Sequence, residues 1–104
     1  MENKKSAGGC IVTKSVLYGK TRLRWLTREL PVVAADTGWR IFGDGDTQDY
    51  IDMGNMELID FNRLEELEPI VKLIYDMPIG SEVELIWGDD EKYFLNLFTG
   101  EEIR

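Results

Sequence analysis

The chain has 104 residues and a formal net charge of −8, from twelve Lys and Arg against twenty Asp and Glu, and it contains no histidine. The length suits one domain over 1–104, and the missing histidine removes Ser-His-Asp and Cys-His nucleophiles and every imidazole zinc site. A lone cysteine cannot close an internal disulfide, and the longest aliphatic stretch, Val32-Val33-Ala34-Ala35, is far short of the ~20 residues of a membrane helix, so a cytoplasmic protein without a membrane partner is expected.

Residues 1–8 are small and polar and read as a frayed terminus. Gly8-Gly9-Cys10 resembles the end of a lipoprotein signal, but Met1 to Ser6 supply no apolar core for one. Cys10-Ile11-Val12-Thr13 reads as a short strand, with a turn at Gly19. Thr21 to Arg28 alternates, placing Leu23 and Trp25 inward and Arg22 and Arg24 on a wet basic face. Leu30-Pro31 ends that strand, since proline cannot donate to a central ladder. Trp39-Arg40-Ile41-Phe42 is the next strand, and Gly43 to Asp49 is a loop by composition. Tyr50-Ile51 and Glu57-Leu58-Ile59 are short apolar pieces suited to pairing at an edge. Asn62 followed by Glu65 has the spacing of a capping box. Pro69 suits the first position of a helix with Ile70, Leu73 and Ile74 on one face, closed by Pro78 and Gly80. Val83-Leu85-Trp87 and Tyr93-Leu95-Leu97 flank Gly88 to Glu91 as a hairpin. The fold class is therefore α+β: an antiparallel sheet with one main helical segment packed on it.

Charge is unevenly spread, +5 through residue 35 and −13 from Asp36 onward. The acidic majority opposes nucleic-acid binding, which needs a basic footprint. Asp36-Thr37-Gly38 matches the catalytic triplet of aspartic proteases, but Trp39-Arg40 follows where that site needs a small residue. Asp44, Asp46 and Asp49 with Gln48 resemble the start of a calcium loop, yet its sixth and twelfth positions hold Asp49 and Asn55 instead of Gly and Glu. No metal or cofactor is assigned. Trp25, Trp39 and Trp87 sit beside aliphatic neighbours and read as core. Cys10, in an apolar strand, reads as an inert buried thiol. Arg28 and Arg40 either pair with Asp36 inside the fold or face a partner.

Three stretches give the chain a family resemblance: Ile11-Val12-Thr13-Lys14, the block from Trp25 to Pro31 continued by Asp36 to Phe42 and Tyr50, and Pro78-Ile79-Gly80-Ser81. In order and spacing they resemble the bacterial immunity protein family thirty-three of polymorphic toxin systems, first catalogued as a domain of unknown function. Thr37 stands where the family usually has Ser, Gly43-Asp44-Gly45-Asp46 replaces its usual Ser-Gly-x-Glu, and the hairpin after Trp87 carries no family signature. The resemblance implies an α+β fold and a non-catalytic protein that binds and neutralises a cognate toxin. Within it, Trp25, Arg28, Asp36, Gly38, Tyr50 and Gly80 are expected to be structural. If the toxin is a basic nuclease, a carboxylate face of Asp44, Asp46, Asp49 and Asp52, oriented by Trp39 and Arg40, would occupy the site meant for phosphates. Two other classes remain: a small regulatory module with a ligand pocket around the tryptophans, and an enzyme using paired carboxylates such as Asp36 and Asp44.

Overall fold

A computed structural model describes residues 6–104. Its centre is a seven-stranded sheet built from β1 (Gly9–Thr13), β2 (Leu23–Arg28), β3 (Asp36–Gly43), β4 (Met56–Asp60), β5 (Glu82–Trp87), β6 (Lys92–Asn96) and β7 (Glu102–Ile103). The strand order is β4-β1-β3-β2-β5-β6-β7. The expected α+β class holds, but the sheet is mixed: β1 runs parallel to β3, and every other pair is antiparallel. The parallel pair arises because β2 and β3 enter as a hairpin with β3 inward. Asp36 to Ile41 are all buried, so β3 needs neighbours on both edges.

Helical turns connect the strands. The first, α1 (Lys14–Leu17), follows β1 directly, and α2 (Gln48–Asp52) sits where an acidic loop and an edge strand at Tyr50-Ile51 were expected. The Thr47 hydroxyl caps α2 by accepting from the Tyr50 amide at 3.2 Å, and a capped turn outcompetes a two-residue strand piece. The cap of α3 (Phe61–Leu67) is Asp60, accepting from the Asn62 amide at 2.8 Å; Asn62 itself lies inside the helix, so the cap stands two residues earlier than the capping-box reading put it. The segment beginning at Pro69 is a 3-10 helix, Pro69–Ile74. With about three residues per turn, positions i and i+3 stack. Val71 and Ile74 are accordingly buried and Leu73 is 44% exposed, whereas a 3.6-residue period had put Leu73 inward.

One apolar cluster joins these elements. Phe61, Leu64, Val71 and Ile74 from the helical layer cover Val12, Leu26, Trp39, Ile41, Val83 and Phe94 of the sheet. Phe61 and Tyr75 meet edge to face at 4.8 Å. Two inward assignments shift against the sequence reading. In β2 a bulge between Leu23 and Trp25 breaks the alternation, so Leu23 and Leu26 are buried and Trp25 turns to the open face, half-buried under the Arg24 guanidinium 4.5 Å away. In β6 the pairing Leu85↔Phe94 carries Phe94 inward, leaving Tyr93 and Leu95 on the other face and Leu97 past the strand end; a strand apolar on both faces takes its orientation from its partner. Of the terminus expected to fray, residues 1–5 lie outside the described residues. Beyond them, the Ala7 carbonyl accepts from the Tyr75 hydroxyl and the Gly8 carbonyl from the Phe61 amide, so Ala7 and Gly8 are held.

Trp39→Ala should therefore lower unfolding free energy by about 3–5 kcal/mol in urea titrations, because Trp39 is fully buried. Trp25→Ala should cost less than half as much, its ring lying at the open face.

Candidate functional site

At the N-terminal end of β3 a buried ion pair organises the backbone. The Asp36 carboxylate accepts from Arg40 Nη1 at 2.9 Å and Nη2 at 2.7 Å, from the Gly38 amide at 2.8 Å and from the Val32 amide at 3.0 Å. Asp36 is 5% and Arg40 6% exposed. Residues four apart in a regular strand lie roughly 13 Å from one another; these two meet because the chain bends at Gly38, whose φ is +93°. A Cβ there would stand 2.0 Å from the Glu29 carbonyl oxygen, so only glycine fits. The Arg40 guanidinium, aided by the two amides, holds Asp36 far below the usual carboxylate range against the opposing effect of burial. Asp36 is therefore fixed as an anion. It cannot serve as a proton-sharing protease acid, nor as the raised-pKa partner of Asp44, which lies past the far end of β3.

Arg28 completes this end of the molecule. Its Nε donates to the Thr37 carbonyl at 2.9 Å, and its Nη1 donates to the carbonyls of Tyr75 at 3.3 Å and Met77 at 2.7 Å. It thus satisfies carbonyls where the 3-10 helix ends. The Trp39 indole donates to the same Tyr75 carbonyl at 3.1 Å. The backbone amide of Gly80, at φ +98°, donates to the Arg28 carbonyl at 2.7 Å. Arg28, Asp36, Gly38 and Gly80, four of the residues expected to be structural, thus meet at this end of the fold. Trp39 and Arg40 belong with them: both are buried, so neither can touch a partner.

The four aspartates do not form one free face. Asp44 pairs with Arg24 at 2.5 Å, and Arg24 also reaches Glu84 at 2.9 Å. Asp46 turns inward, accepting from Ser15 Oγ at 2.5 Å and from the Gly43 amide at 2.6 Å. Asp49 and Asp52 are exposed on α2, and Asp52 accepts from Gln48 at 2.8 Å. Tyr50, half-buried between them, lends its carbonyl to Asn55 at 2.9 Å. Among the described residues no three Asp, Glu or Cys side chains gather as a metal-ligand group. Among the described residues, a groove of about 490 Å³ beside Leu17, Leu23 and Leu67 includes Trp87 but not Trp25, nor Trp39, which is fully buried. Burial pushes the Cys10 thiol up to about 12, in keeping with an inert residue.

Residues 10–96 match the Immunity protein Imm33 domain. The chain belongs to the Imm33 immunity-protein family. No curated protein matches it, and no solved structure does. The Imm33 match covers β1 except Gly9 and every later element to the end of β6, including the buried pair and the α2 aspartates, and stops short of β7. Membership implies a toxin partner and points to a non-enzymatic role.

Sequence reasoning left Arg28 and Arg40 as alternative partners of Asp36; the structure gives the carboxylate to Arg40 and the backbone carbonyls to Arg28. It missed the Ser15–Asp46 and Arg24–Glu84 links, for which residues 31 and 60 positions apart offer no local signal.

Asp36→Asn should destabilise the protein by about 3–5 kcal/mol at neutral pH, because it strands a buried guanidinium. The lowered Asp36 pKa fixes the sign of the pH dependence. The ionic contribution is full above the unfolded carboxyl value of ~4 and is lost as pH falls through that value towards the folded one. The urea midpoints of wild type and variant should therefore converge below about pH 4.

Proposed function

We propose that this protein is a non-catalytic, cytoplasmic immunity protein of a polymorphic toxin system, acting as a single unit that binds and neutralises a cognate toxin. The observation that carries the reading is the Imm33 match over residues 10–96. Charge supports it: among the described residues, exposed carboxylates outnumber exposed cations about two to one. A net charge of −8 raises the encounter rate with a basic partner such as a nuclease, whose own surface is adapted to phosphate. Of the four aspartates first considered as the binding face, Asp49 and Asp52 are the two free to act this way. Asp44 is engaged by Arg24 at the surface, and Asp46 by Ser15 and the Gly43 amide.

The test is a titration of the purified protein against the toxin encoded by the adjacent gene, with growth protection in cells making both. A tight complex that silences the toxin is expected. Replacing Asp49 and Asp52 together by Asn should slow association about three- to tenfold at low salt, an effect that fades above ~0.5 M salt, with no change in thermal midpoint. Wild-type protein that neither binds nor protects would refute the reading.

A further inference from the structure

Between β2 and β3 the chain runs Leu30-Pro31-Val32-Val33-Ala34-Ala35, six apolar residues that are all exposed. Leu30 is 75%, Val32 73% and Val33 56% exposed. A connection needed only to link two strands would be polar, and single exposed apolar residues are ordinary where a continuous run is not. Ile79, 49% exposed, lines with Leu30 a shallow groove of about 410 Å³ that extends the patch to the turn before β5.

The loop is also rigidly mounted. The Val32 amide donates to Asp36, the Asp36 amide to the Val33 carbonyl at 3.0 Å, the Gly9 amide to the Ala35 carbonyl at 2.7 Å, and the Glu29 amide to the Gly38 carbonyl at 2.8 Å. The most buried ion pair among the described residues thus fixes a loop whose side chains stay largely exposed. An apolar surface held in one conformation before contact loses little entropy on binding. Pro31, lacking an amide hydrogen, keeps the run from extending a neighbouring strand.

We infer that the Leu30–Ala35 loop together with Ile79 is the anchor that inserts into the toxin, and that the toxin presents an apolar recess rimmed by Lys or Arg. The inference rests on the toxin-binding reading above and specifies its contact surface. The rim of the patch gives the sign of the partner's charge. Glu29 and Glu82 line the groove, and Asp76 is exposed on the turn between the two carbonyls that Arg28 holds. The cations of this end, Arg28 and Arg40, are held by Thr37, Tyr75, Met77 and Asp36, and Arg40 Nε also lies 3.6 Å from Glu29, whose carboxylate stays 65% exposed. A second copy of this chain would bring the same acidic rim, and another −8 of charge, against the first. A basic partner meets no such repulsion. The α2 aspartates sit beyond the opposite end of β3, so they act on approach and not at this contact.

The experiment measures binding of the adjacent-gene toxin to wild type, to Leu30→Ser/Val32→Ser and to Glu29→Gln/Glu82→Gln, alongside sedimentation of the immunity protein alone. The serine variant should fold with an unchanged thermal midpoint and bind about 100-fold more weakly at every salt concentration. The glutamine variant should lose about tenfold at low salt only. Wild-type affinity in the serine variant would overturn the anchor while leaving toxin binding intact. A dimer of the wild type that the serine variant cannot form would assign the patch to a second copy and overturn the toxin as occupant. Wild type that fails to bind the toxin would overturn the proposed function and this inference with it.

Discussion

The Asp36–Arg40 pair is the constraint on which the N-terminal end of the sheet depends. Two charges removed from water cost several kcal/mol each in desolvation, and their attraction offsets that only when the remaining lone pairs are filled. Here they are filled, by the Gly38 and Val32 amides. The net gain in stability from such a pair over well-packed apolar residues is small. What it adds is direction. Because Asp36 accepts from a residue four before it and from another two after it, a single carboxylate dictates the path of the chain from Leu30 to Gly38. The bend that lets Asp36 reach Arg40 in turn demands glycine at 38, since the Glu29 carbonyl occupies the place of a side chain.

That end is also where distant parts of the chain close on one another. Gly9 begins β1 and takes the Ala35 carbonyl; Arg28 ends β2 and bonds to Thr37, Tyr75 and Met77; Gly80 precedes β5 and donates to Arg28. Two of the stretches through which the chain resembles its family, those beginning at Trp25 and Pro78, meet here through the Arg28 guanidinium and the Gly80 amide rather than through apolar packing. Packing is concentrated elsewhere, in the cluster around Trp39, Phe61 and Phe94. The molecule thus separates two tasks: apolar burial holds the layers together, and polar bonding at one end sets the shape of what it exposes.

The legible parts of the sequence were those governed by local periodicity and turn chemistry. β1, β3 and the β5–β6 hairpin were readable because alternation and glycine-bearing turns act over a few residues. Trp25 was misplaced because a bulge changes phase, and a bulge depends on the partner strand. Tyr93, Leu95 and Leu97 were picked out instead of Phe94 because β6 is apolar on both faces and its register comes from Leu85. The parallel β1–β3 pairing required knowing that β3 is buried on both sides. At the candidate site, the sequence left Arg28 and Arg40 open between Asp36 and a partner, and which pair formed was set by the bend at Gly38. The apolar loop was visible as the longest aliphatic run and served only to exclude a membrane helix. Its exposure is a tertiary fact, invisible in a pattern that suits a buried strand equally well.

The two ends of β3 suit different stages of association. Long-range attraction depends on net charge and acts across a Debye length of ~8 Å or more, so carboxylates on α2 change how often a basic partner arrives whether or not they touch it. Residence depends on desolvated contact, and apolar side chains on a fixed backbone provide it without the cost of stripping water from ions. An immunity protein must arrive before its toxin acts and must then stay. Under the proposed function, the α2 aspartates and the apolar loop can be varied separately, because residues at opposite ends of one strand share no partners.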